Sequence, residues 1–142
     1  MRDNRFVLDN NIWVSYFITN RQQTLIDIIT KTKIDVFVCD ELLQEFETVL
    51  YYPHIQKFKV NIRNAVFIMK DISLHFNLNK PIKKYIPGDV DDNYILALAL
   101  QTNSGYVTSG DKHILSQKEI LEKKYTKLKI ITKAQFEKRF SI

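Results

Sequence analysis

Four short apolar runs separated by stretches of helical periodicity constrain this chain more than any other feature. Phe6-Val7-Leu8, Val36-Phe37-Val38, Tyr106-Val107-Thr108 and Lys129-Ile130-Ile131 have the length and composition of strands. Between them, Ile12, Trp13, Tyr16 and Phe17 recur at helical spacing, as do Leu25, Ile26, Ile28 and Ile29. Leu42, Leu43, Phe46, Val49 and Leu50 form a stripe on a helix from Glu41 to Tyr51, which Asp40 is placed to cap and Pro53 stops. Residues 54–79 also read as helical. Pro81, Pro87 and Gly88 mark an irregular connection, and the apolar segment Ile95 to Leu100 predicts a helix that ends near Asn103 to Gly105. A short terminal helix follows the fourth strand. Alternation of this kind predicts parallel strands joined by right-handed helical crossovers, with helices on both faces of the sheet.

Composition narrows the class. The chain has 142 residues, 45% of them hydrophobic, with three Gly and three Pro, which excludes disordered and linker-dominated chains and predicts one domain over residues 1–142. Cys39 is the only cysteine, so the fold needs no internal disulfide and a reduced cytoplasm suits it. The apolar stretch after Arg5 is too short for a secretory signal, and no run reaches membrane-spanning length. Residues 112–142 hold nine Lys or Arg against three Glu, although the whole chain carries only +5. Basic surplus concentrated in one third is the footprint expected of a polyanion-binding surface, and also of a plainly solvated face.

In open parallel α/β sheets the ligand site lies beyond the carboxyl ends of the strands, at a switch in strand order. Asp9 ends the first strand, Asp111 follows the third by three residues, and Asp92 falls on the first turn of the helix before that strand. Glu45, one turn into the helix after the second strand, is within reach of the same edge. Carboxylates crowded together repel one another and call for a cation. With no His or Cys cluster nearby, oxygen ligation favours Mg²⁺ or Mn²⁺ over Zn²⁺. Plainer roles stand beside these. Asp9 and either Asp91 or Asp92 suit helix caps, Glu45 suits an exposed helix face shared with Glu41 and Glu47, and Asp111 suits a turn. His54, His75 and His113 have no ligand spacing, and three scattered glycines make no phosphate-cradling loop.

These segments together resemble the PIN-domain family, in particular the ribonuclease toxins of prokaryotic type II toxin–antitoxin systems. Val7-Leu8-Asp9-Asn10-Asn11 looks like that family's strand-ending Asp-Thr-Asn motif, and Leu42-Leu43-Gln44-Glu45-Phe46 with Val49-Leu50 looks like the segment bearing its second acid. Asp89 to Ala99 resembles the Asp-rich approach to the helix with the third acid, and Ser109-Gly110-Asp111-Lys112-His113-Ile114-Leu115 is similar to its Thr-Gly-Asp segment. The resemblance implies a PIN-like three-layer α/β/α sandwich around a parallel sheet of four to five strands. It implies a Mg²⁺- or Mn²⁺-dependent endoribonuclease acting on single-stranded RNA. Asp9, Glu45, Asp92 and Asp111 would form the catalytic metal-binding quartet, supported by Asn11, Ser109, Asp89 and Asp91, with Lys112 and Lys118 as RNA contacts. It also implies a small antitoxin partner and a homodimer. Asn10 departs from the pattern, standing where the family has a hydroxyl residue.

Two rivals follow from the same residues. One is a PIN-like module that binds RNA or protein without cutting, against which stands the retention of all four acids. The other is a phosphatase-like domain with Asp9 as nucleophile, which would want a second Asp two residues on, where this chain has Asn11.

Overall fold

The computed structural model describes residues 2–87 and 92–140. Its sheet has five parallel strands in the order β3-β2-β1-β4-β5: β1 is Arg5–Leu8, β2 Asp35–Val38, β3 Leu74–His75, β4 Tyr106–Thr108 and β5 Lys129–Ile131. Phe6, Val7 and Leu8 are all fully buried, because β1 is the central strand with helices over both faces. That is why its sequence is a continuous apolar run.

The helices are α1 (Asn10–Ile18), α2 (Gln22–Thr32), α3 (Asp40–Leu50), α4 (Pro53–Gln56), α5 (Ile62–Ile72), α6 (Asn93–Gln101), α7 (Lys112–Ser116), α8 (Lys118–Lys124) and α9 (Lys133–Arg139). They complete a three-layer α/β/α sandwich. On one face Phe6 stacks on Tyr106, its register partner in β4, and meets Phe136 of α9 edge-on. α6 lies across β1, β2 and β4, and every residue from Tyr94 to Ala99 is buried. A helix apolar all round is a core element, and truncating Leu96 to Ala would cost about 2–5 kcal/mol. It ends as its sequence predicts: Asn103 takes a left-handed φ of 60° and the Ser104 amide bonds back to the Ala99 carbonyl at 2.8 Å. No helix among the described residues is long and apolar enough to cross a membrane.

Three sequence expectations need correcting. Residues 54–79 are not one helical stretch: α4 ends before Lys59, whose φ is 56°, and α5 starts afresh at Ile62, capped by Asn61, whose side chain accepts from the Asn64 amide. Ser73 then turns extended and the chain adds β3 at the sheet edge. Two residues, with Leu74 48% exposed, are too short and too wet to show strand periodicity. Asp40 does not cap α3. It is the helix's first residue, Cys39 takes the cap position, and the Asp40 carboxylate meets His75 Nε2 at 2.7 Å, tying α3 to β3. Asp92 is the residue before α6 rather than part of its first turn.

Candidate metal centre

The chain runs β1, β2, β3 to one side of the sheet and returns to β4 and β5 on the other, so the strand order switches between β1 and β4. Leu8 and Thr108 are register partners there, and the Asp9 amide still donates to the Thr108 carbonyl at 2.9 Å. The two strand ends are therefore held together just where their acids emerge.

Asp9, Asp92 and Asp111 precede α1, α6 and α7 as the cap residues of those helices, and one oxygen from each lies within 4.8 Å of the others. The Asp9 carboxylate is 2% exposed; Oδ1 accepts from the Asn10 amide at 2.7 Å and Oδ2 from the Ser109 hydroxyl at 2.8 Å. Asp111 Oδ1 accepts from the His113 amide at 2.7 Å and the Ile114 amide at 3.4 Å. Ser109 Oγ also accepts from the Asp111 amide at 3.0 Å, so one buried hydroxyl links two of the acids. The capping role suggested by sequence is thus real for Asp9, and Asp111, expected only as a turn residue, caps a helix as well. Asp92 makes no side-chain capping bond, and capping does not require three caps to converge.

Electrostatics register the crowding. Burial pushes Asp9 up to about 6, with Asp111 and Glu45 adding to the rise and the bonds from Ser109 and Asn10 opposing it. Asp92 is pushed up to about 7 by burial, then by the charges of Asp9, Asp111 and Glu45 and a hydrogen bond with Asp111. No ion pair of these acids with Lys or Arg is found among the described residues.

Glu45, half-buried on α3, is near enough to raise both Asp9 and Asp92, and its Oε1 accepts from the Tyr94 hydroxyl at 2.6 Å. Tyr94 is absent from the sequence-derived residues. The one available signal is a phenol heading the otherwise apolar segment of α6, two residues after Asp92.

Of the supporting residues, Ser109 touches the cluster directly, Asn11 is exposed, and Asp89 and Asp91 lie outside the described residues. Asn10 is buried, and its side-chain oxygen has no hydrogen-bond partner among the described residues. Lys112 is exposed beside Asp111, whereas Lys118 pairs with Glu122, whose carboxylate also accepts from the Ile130 amide at 2.9 Å.

No curated protein matches this sequence. Among solved structures, a chain of VapBC2 from Rickettsia felis, bound to a DNA fragment from its promoter, is similar over 90% of this chain and 98% of that one, with a TM-score of 0.55 and 12% identity. At that identity the likeness speaks for the fold. The sequence itself matches the PIN domain family over residues 5–113, a span that opens with β1 and closes just past Asp111. Because that match takes in every strand-end acid at the switch point and most of the chain, the protein belongs to the PIN domain family.

Proposed function

We propose that this protein is a metal-dependent endoribonuclease that hydrolyses phosphodiester bonds of single-stranded RNA, working as the toxin of a type II toxin–antitoxin pair and folded as one domain over residues 1–142. The observation that carries this reading is the approach of Asp9, Asp92 and Asp111 within 4.8 Å, with none of the three ion-paired to a Lys or Arg among the described residues. Three ionised carboxyls so placed repel one another until a cation or protons relieve them.

The donor set fits a hard divalent ion. Every candidate ligand atom is a carboxylate oxygen, which suits Mg²⁺ or Mn²⁺. Asp9, Asp92 and Asp111 would hold it, with Glu45 reaching in from α3. When bound, such an ion lowers the pKa of water toward neutrality and offsets charge on a phosphoryl oxygen.

The chain's own residues have distinct tasks in this reading. Ser109 orients Asp9 and Asp111, and the amino ends of α1, α6 and α7 favour the ionised acids. Asn11, Asp89 and Asp91 would support the cluster, as the family resemblance implies. Lys112 meets the RNA backbone, with Lys118 reaching it only by leaving Glu122. A sheet-edge cleft accepts a splayed single strand more readily than a rigid duplex. A small antitoxin would cover the cleft of a homodimer in the cytoplasm, as the resemblance to toxins of type II toxin–antitoxin systems implies.

The test is cleavage of labelled single-stranded RNA with Mn²⁺, Mg²⁺ or EDTA by wild type, Asp9→Asn and Asp92→Asn. Metal-dependent cutting lost in both variants is the expected result. Equal cutting by all three would remove the acids from the chemistry. RNA binding without cutting by folded, metal-loaded protein would make it a binding module.

A further inference from the structure

We propose that Tyr94 is a positioning residue: its hydroxyl fixes the Glu45 carboxylate at the rim of the three-acid cluster, so that α3 supplies a fourth oxygen to the ion. The proposal rests on the metal-dependent nuclease reading.

Glu45 is the one acid of the four that does not emerge from a strand end or a cap. It sits in the second turn of α3 on a long side chain, half-buried, with solvent available to it. Asp9 and Asp92 feel its charge, and it feels theirs, so repulsion would turn an untethered Glu45 outward. Holding a glutamate in one rotamer also costs side-chain entropy. Something must oppose both effects.

Tyr94 has the means. Its side chain is 8% exposed, its helix is buried along most of its length, and its hydroxyl lies 2.6 Å from Glu45 Oε1, the short distance of a hydrogen bond to a charged acceptor. Only one carboxylate oxygen is taken by that bond. Positions two apart on a helix face different ways, so Tyr94 can reach α3 while Asp92 meets Asp9 and Asp111. One rigid element thereby sets two acids, Asp92 directly and Glu45 through the phenol. A purely structural bond, serving only to satisfy a buried hydroxyl, would affect stability and leave metal binding alone.

The experiment is calorimetric titration of Mn²⁺ into metal-free full-length protein, for wild type, Tyr94→Phe, Glu45→Gln, the double variant and Asp92→Asn, with melting curves in EDTA. Tyr94→Phe should weaken Mn²⁺ about 10–100-fold. Glu45→Gln should weaken it at least as much, and the double variant no more than Glu45→Gln alone. Tyr94→Phe with wild-type affinity, or with a loss that multiplies that of Glu45→Gln, would overturn the role, as would a drop in melting temperature as its sole effect. Wild-type affinity in Glu45→Gln, with binding lost in Asp92→Asn, would sink the inference and leave a three-acid nuclease standing. Failure of wild type to bind Mn²⁺ would overturn the underlying reading and this inference with it.

Discussion

The Ser109 hydroxyl donates to Asp9 Oδ2 at 2.8 Å, joining residues one hundred positions apart across the β1–β4 seam, while the same oxygen accepts from the Asp111 amide. That bond is one of two that hold down the pKa of a carboxyl which burial drives up to about 6. Ser109→Ala should therefore raise Asp9 further and shift the pH dependence of Mn²⁺ binding upward, since metal must displace the proton. It should also cost about 1–2 kcal/mol of stability, because a buried carboxylate oxygen and an amide lose their partner. Titrations of Mn²⁺ from pH 5.5 to 8.5 would reveal the shift. An unchanged profile would mean the hydroxyl does not tune Asp9.

Metal-free protein should lose stability as pH rises from about 5 to 8. Asp9 and Asp92 have folded-state pKa values of about 6 and about 7 against an ordinary 3.8, so across that interval the folded chain binds more protons than the unfolded one. Stability then falls with rising pH until both acids are ionised. The lowered carboxyls Glu41, Glu122 and Glu137 act in the opposite sense only at more acidic pH, as they are protonated. Melting temperatures in EDTA should show the decline in wild type, a shallower one in Asp92→Asn, and recovery on adding Mn²⁺ at pH 8. A flat curve in wild type would contradict the crowding of the acids.

Burial on both faces is what made most of the fold legible. Phe6 to Leu8 and the strand residues Val36, Val38, Val107 and Ile130 are covered from each side, so apolar runs survive in the sequence as strands. Leu74 and His75 lie at an exposed edge and leave no such trace, because pairing with β2 defines that strand and pairing is a tertiary fact. Asp9 and Asp111 were legible as acids at strand ends. Glu45 was indistinguishable from Glu41 and Glu47 by periodicity, and what separates it is a contact with Tyr94 from another layer. Asp40 carried a capping signal, yet the exposed His75 imidazole across the sheet edge competes for its carboxylate.

Lys112 and Lys118 should behave differently despite equal charge and near neighbourhood in sequence. Lys112 is exposed beside Asp111, so Lys112→Ala should weaken RNA binding and lower the salt slope by about one, with little change in stability. Lys118 is engaged with Glu122 in an i,i+4 pair of the kind worth about 0.5 kcal/mol or less, so Lys118→Ala should touch melting temperature slightly and RNA binding less than Lys112→Ala does. Binding of a labelled single strand to an Asp92→Asn background at several salt concentrations compares them without cleavage. Equal salt slopes in both variants would place the RNA along α8 as much as beside Asp111.

The carboxyl-terminal helix is fastened to the helix that follows Asp9, and loosening it should cost stability without disarming the site. Tyr16, fully buried in α1, donates to Glu137 Oε2 at 2.6 Å, Arg21 reaches Oε1 at 3.2 Å, and the Lys133 ammonium sits 4.2 Å from the Tyr16 ring centroid. Burial and the Glu137 charge hold the Tyr16 phenol far above the usual tyrosine range, so it stays a neutral donor at any physiological pH. Tyr16→Phe removes that donor and should lower stability by about 1–2 kcal/mol, or about 3–6 °C in melting temperature for a chain of this size. Mn²⁺ affinity should stay within about twofold of wild type, because the contact lies two turns along α1 from Asp9. A large loss of Mn²⁺ binding in Tyr16→Phe would show that α9 sets the position of α1, and through it the geometry of the acids.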